Sequence, residues 1–138
     1  MNKKTEQFVL VVPSDPQQIA KVEPFLSDVN RHAGLNEDAF NKLLISVTEA
    51  VNNGILHGNK RDPKKTVTLT CVINGSVLTI RVHDQGTGFN PDVLPDPLAI
   101  ENLLREHGRG VFLIRSMMDS VTFEKTEHGS DVIMTMKL

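Results

Sequence analysis

Cysteine occurs once in the 138 residues, as Cys71, which excludes an intramolecular disulfide and a thiolate zinc cluster and suits a reducing cytoplasm. Tryptophan and tyrosine are absent and phenylalanine occurs six times, so no base-stacking platform for single-stranded nucleic acid is expected. Neither sign of charge dominates: fifteen Lys plus Arg stand against seventeen Asp plus Glu, a formal net charge of −2. That balance argues against direct binding of nucleic acid, whose phosphates need a basic footprint, and against adhesion to anionic membranes. The apolar run at residues 8–12 stops at Pro13, too short for a signal-peptide core or a membrane span. The expectation is a soluble, cytoplasmic protein.

What is present suffices for a core. Hydrophobic residues make up 39% and charged residues 23%, a balance that separates the chain from disordered sequences. The length fits one compact domain spanning residues 1–138. Residues 6–12 read as an edge or first strand. Ser14 or Asp15 then caps a single amphipathic helix that has Pro16 in its first turn, Ile19, Val22, Phe25, Leu26 and Val29 at helical spacing, and Gly34 as its stop. Asn36 opens a second helix running to about His57, before Gly58 and Asn59. Phe40, Leu43, Leu44, Val47, Val51, Gly54 and Ile55 form its apolar stripe. Ile45 and Leu56 lie nearly opposite, which predicts a helix covered on two sides. Lys42, Ser46, Glu49, Asn53 and His57 make a polar stripe between them.

Residues 64–73 and 76–83, joined at Asn74-Gly75, spell a β-hairpin with a type I′ turn. Residues 90–107 carry Pro91, Pro95 and Pro97 and read as a long loop with one short helical piece at 98–106; such loops in small domains serve as lids. Gly108 and Gly110 precede a helix at 111–118, and strands at 120–126 and 130–138 finish the chain. The order predicts an α/β (α+β) fold, a two-layer α/β sandwich with helices on one face of a mostly antiparallel sheet.

Three motifs carry chemistry. Glu49 and Asn53, at i and i+4, leave their helix on one face; they are either partly solvated helix residues or a general base beside a hard oxygen ligand for Mg2+. Asp84-Gln85-Gly86-Thr87-Gly88-Phe89 follows a strand end, as a glycine turn with a capping Asp or as a place where backbone approaches a ligand and the carboxylate accepts from an exocyclic amine. Gly108-Arg109-Gly110 opens a helix, where a plain turn or a phosphate cradle fits equally.

Order and context together resemble the N, G1 and G2 boxes of the GHKL (Bergerat) ATPase superfamily. Within it, the sequence more closely resembles the anti-sigma-factor serine kinases of the RsbW and SpoIIAB type. The likeness runs over essentially the whole chain: Glu-Ala-Val-x-Asn-x-x-x-His-Gly at residues 49–58, Asp-x-Gly-x-Gly-Phe at 84–89, Gly-Arg-Gly at 108–110 and Met-Asp-x-Val at 118–121. The resemblance implies that Glu49 is the general base and that Asn53 binds nucleotide and ligates Mg2+. It also implies that Asp84 accepts from the adenine amino group, with Gly86 and Gly88 against base and ribose. Gly108, Arg109 and Gly110 would cradle phosphates under an ATP lid at about 90–107, and Ser130, where the family has a Gly-Thr pair, would support Asp84 or a water. Gly54 departs from helix preference and suggests close backbone approach.

By the same resemblance the chain is an ATP-dependent serine/threonine protein kinase and anti-sigma factor. It would phosphorylate a STAS-domain anti-anti-sigma protein and sequester a sigma factor in a partner-switching pathway. The alternative is a non-catalytic ATP-binding partner-switch module regulating another protein; Glu49 favours the kinase, because a pure binder needs no base. A phosphatase-linked pathway is a third option. Phe25 or Leu26 would form a homodimer or sigma-binding face or, more plainly, core. His57 would be a helix-end residue bonding the last carbonyls, or a metal or acid/base group.

Overall fold

The computed structural model describes residues 5–86 and 108–138, with side chains in the second stretch from Leu113 onward. The loop at 90–107, its short helix and Gly88 lie outside the described residues. Strand β1, Glu6–Pro13, forms one edge of the sheet. Asp15 caps the next segment by accepting the Gln17 N–H at 3.0 Å. The single helix expected there is two: a 3-10 helix at Pro16–Lys21 and α1 at Val22–Ala33. Pro24 is the reason, since proline has no N–H and its ring clashes with the carbonyl four residues back. The break puts Pro24 in the first turn of α1, where no such bond is due. Gly34 ends α1 at φ 72°.

Helix α2, Glu37–Asn53, starts as the sequence dictates: the Asn36 side chain accepts the Ala39 N–H at 2.8 Å, and Glu37 and Asp38 lie in the positive first turn. Beyond it come β2 at Thr66–Asn74, β3 at Val77–Asp84, α3 at Gly108–Met117, β4 at Ser120–Thr126 and β5 at Gly129–Lys137. The five strands pair in the order β1-β2-β3-β5-β4, every pair antiparallel. The β2–β3 hairpin is present, but its turn is one residue displaced. Asn74 pairs with Val77, so Gly75 and Ser76 are the central residues. Only Gly75 has positive φ, 62°, the signature of a type II′ turn rather than type I′.

One face of the sheet is the core face. Val67, Leu69, Cys71, Ile80, Val82 and Met134 bury against Leu26, Val29, Leu43, Val47, Val51 and Ile55 of the helical layer. Leu26 is therefore core and Phe25 packs against it, the plainer of the roles expected for the pair. Ile45, expected under a second covering layer, stands exposed, whereas Leu56 packs against the core. α3 packs against α2. Burial holds the Cys71 thiol up at about 12, so it is an inert filler. The other face carries Val9, Val11, Thr68, Thr70, Thr79 and Arg81. No helix among the described residues is long and apolar enough to cross a membrane.

Candidate functional site

Asp84 ends β3 on the helix side of the sheet, and backbone rather than side chains closes around it. Past Asn53 the chain widens into a π turn, Gly54–Gly58, in which the Asn59 N–H reaches back to the Gly54 carbonyl at 2.8 Å. Such widened turns lie frequently at functional sites. Here the turn lays Gly58 against the carboxyl: a Cβ at Gly58 would stand 2.5 Å from Cγ of Asp84. At Gly54 a Cβ would meet Val67 Cγ2 at 3.2 Å and Asp84 Cβ at 3.5 Å, the close approach its place in a helix suggested. From the opposite side, a Cβ on Gly86 would collide with the Gly58 carbonyl, and one on Gly129 with the carbonyl of Asp84.

Asp84 Oδ1 accepts the Gly86 N–H at 2.9 Å. Burial pushes the carboxyl above the usual carboxylate range; that bond and the neighbouring His83 pull it down, Asp131 pushes it up, and Lys65 pulls it down. Directly across the β3–β5 ladder sits Ser130, buried, its hydroxyl without a hydrogen-bond partner among the described residues. Buried polar groups are nearly always paired. An orphan hydroxyl facing a partly desolvated carboxyl makes a polar recess suited to the edge of a ligand with donor and acceptor groups.

Glu49 and Asn53 are half-buried, one turn apart on the end of α2, and Asn53 adjoins Gly54. Elsewhere the polar stripe divides. Lys42 pairs with Asp38 at 3.4 Å, Ser46 is wholly buried with a hydroxyl unpartnered among the described residues, and His57 is exposed. Gly108, Arg109 and Gly110 do not precede a helix: they form the first turn of α3 itself. Gly88 lies outside the described residues, as does the side chain of Arg109.

Sequence reading missed Asn59, taken only as a helix stop. It is buried and bonded to three segments, with separations of 45, 7 and 26 residues, and no local pattern announces such ties. A second polar cluster lies on the other face of the sheet. Asp131 accepts from Arg81 and meets His83 Nδ1 at 2.5 Å, and Arg81 lies 3.8 Å from Glu124. Alternation along β3 separates it from Asp84.

Comparison with known proteins identifies the family of the chain. The model of the histidine kinase-like ATPase domain family matches residues 12–136. The serine-protein kinase RsbW of Listeria monocytogenes serotype 4a (strain HCC23) is 29% identical over 136 residues, covering 94% of this chain and 86% of the relative. That of Listeria innocua serovar 6a is 29% identical over the same length and coverage. RsbW of Staphylococcus epidermidis is 30% identical over 140 residues, 96% of this chain and 87% of the relative.

Proposed function

Because the chain belongs to the histidine kinase-like ATPase domain family, whose members use ATP, we propose that it is an ATP:protein serine/threonine phosphotransferase of the anti-sigma-factor type. The observation that carries the reading is the recess at Asp84: a partly desolvated carboxyl bounded by glycine backbone, facing the orphan Ser130 hydroxyl. Asp84 accepts from the adenine amino group, Ser130 supports that edge, and Gly86 with Gly88 lets base and ribose lie against the backbone. Gly108, Arg109 and Gly110, at the start of α3, take the phosphates, where free N–H groups and the helix dipole favour anions.

Asn53, with its hard amide oxygen, would hold Mg2+ on the phosphate side, and the ion would supply neutralisation of phosphate charge. Glu49, one turn away on the same face of α2, receives or orients the hydroxyl proton of an incoming serine or threonine. Most of the rate enhancement then comes from positioning. The kinship with proteins named serine-protein kinase RsbW supports a STAS-domain anti-anti-sigma protein as substrate and a sigma factor as the competing partner. It also supports residues 1–138 acting as one domain with an ATP lid at about 90–107, and a cytoplasmic setting.

The test is transfer of labelled γ-phosphate from ATP into proteins of a lysate from the source organism, run for the parent chain and Glu49→Ala with ATP binding measured in parallel. A small labelled protein that depends on Glu49 is the expected result. ATP binding by both chains with no label transferred to a purified, unphosphorylated STAS-domain substrate would reduce the protein to a non-catalytic switch.

A further inference from the structure

Asn59 follows directly on Gly58, the residue whose backbone bears on Asp84, and is 1% exposed. Its Nδ2 donates to Ser14 Oγ at 2.9 Å and to the Thr66 carbonyl at 2.9 Å, and its Oδ1 accepts the Gln85 N–H at 2.7 Å. Ser14 Oγ in turn donates to the Lys65 carbonyl at 2.7 Å. One amide thus joins the end of β1, the start of β2 and the residue that follows Asp84. Gln85 returns a second tie, its Oε1 accepting the Thr66 N–H at 2.7 Å. The chain leaves Asn59 through Lys60 and Arg61 at φ 52° and 58°, a left-handed pair that residues with a Cβ adopt only at a cost. The amide's anchoring bonds offset that cost.

We infer that Asn59 is a positioning residue for nucleotide recognition. Its carbonyl oxygen fixes the Asp84–Gly86 backbone relative to the π turn, so that the Asp84 carboxyl is presented before a ligand arrives and little ordering is left to do on binding. The inference rests on the nucleotide site proposed above. It separates the two ends of one side chain: the oxygen serves the site, and the amide protons serve the scaffold through Ser14 and Thr66.

Calorimetry with ATP and Mg2+, thermal unfolding and amide hydrogen exchange on the parent, Asn59→Ala, Asn59→Asp and Ser14→Ala distinguish the two ends. Asn59→Ala is expected to weaken ATP binding about tenfold or more, the scale of one buried hydrogen bond lost at a site. Asn59→Asp keeps an acceptor for the Gln85 N–H and is expected to recover most of that loss while unfolding at a lower temperature. Ser14→Ala is expected to lower the unfolding temperature and leave ATP affinity unchanged. Parent-like affinity in Asn59→Ala overturns the proposal, as does an equal loss in all three variants. Should Asn59→Ala fail to fold, the Gln85 amide of the parent decides: slow exchange supports the tie and fast exchange overturns it. A parent chain that binds no ATP overturns the kinase reading and this inference together, whereas a parent that binds beside unaffected variants overturns this inference alone.

Discussion

Gly58 bears on Asp84 so closely that one added carbon would stand 2.5 Å from its carboxyl carbon. The carboxyl has nowhere to retreat on that side, because Gly86 closes over the Gly58 carbonyl. Gly58→Ala is therefore expected to displace Asp84 and weaken ATP binding by about tenfold or more, the equivalent of roughly 1.4 kcal/mol. Gly54→Ala is the control. Its Cβ would meet the end of the Val67 side chain at 3.2 Å, and the helix gains about 1 kcal/mol on losing a glycine, so its unfolding free energy should stay within about 1 kcal/mol of the parent's. Calorimetry and denaturant unfolding on both variants check the pair.

In the nucleotide site proposed above, Asp84 sets recognition against stability. Burial raises its carboxyl pKa in the folded chain, so the native state binds more protons than the unfolded one between the ordinary value and the raised one. Stability then falls as pH climbs through that window. Asp84→Asn removes the loss: the variant should unfold at the same or a higher temperature at neutral pH and show a flatter dependence on pH above the ordinary carboxylate range. It should also lose its preference for ATP over GTP. Melting curves across pH and competition between the two nucleotides read the two effects separately.

Glu49 and Asn53 share a helix face but should fail differently. Glu49→Ala is expected to keep ATP affinity and lose phosphotransfer about a hundredfold or more, the scale of a general base. Asn53→Ala is expected to lose the Mg2+-dependent part of ATP binding itself. Equal ATP affinity for Asn53→Ala and the parent in the presence of Mg2+ would sink the metal assignment.

Lys60 and Arg61 hold left-handed backbone after Asn59. The conformation costs a residue bearing a Cβ roughly 1–2 kcal/mol, partly returned on substitution by the extra freedom that glycine brings to the unfolded chain. Arg61→Gly should accordingly stabilise the domain by up to about 1 kcal/mol, read as a higher denaturant midpoint at constant slope.

How legible this was in the sequence depends on whether the forces involved are local. The capping Asn36, the stop at Gly34 and the alternation of β2 and β3 act over a few residues, and the structure has them where they were expected. The hairpin turn slipped by one because Asn74-Gly75 satisfies two registers, and strand pairing, a longer-range matter, selects between them. Pro24 was visible, yet the amphipathic spacing around it hid the break it forces. The glycines around Asp84 could be read as punctuation, but their service as mutual walls comes from sheet register. Asn59 owes its partners at Ser14 and Gln85 to segments distant in the chain, so no local window of sequence contains the reason for its burial.

The recess at Asp84 draws on the end of α2, the end of β3 and the start of β5, with Asn59 and Gln85 bridging 26 residues and Ser130 entering from the far side of the ladder. No contiguous fragment contains it. A nucleotide held there as proposed would bind the intact domain and not its unfolded form, and so would shift the folding equilibrium of the whole chain, by about 2.7 kcal/mol at a free concentration a hundred times the dissociation constant. Where a protease cuts only the opened chain, that shift lowers the cleavage rate in proportion. The supply of free nucleotide would then govern how long each copy survives, alongside any phosphate it transfers.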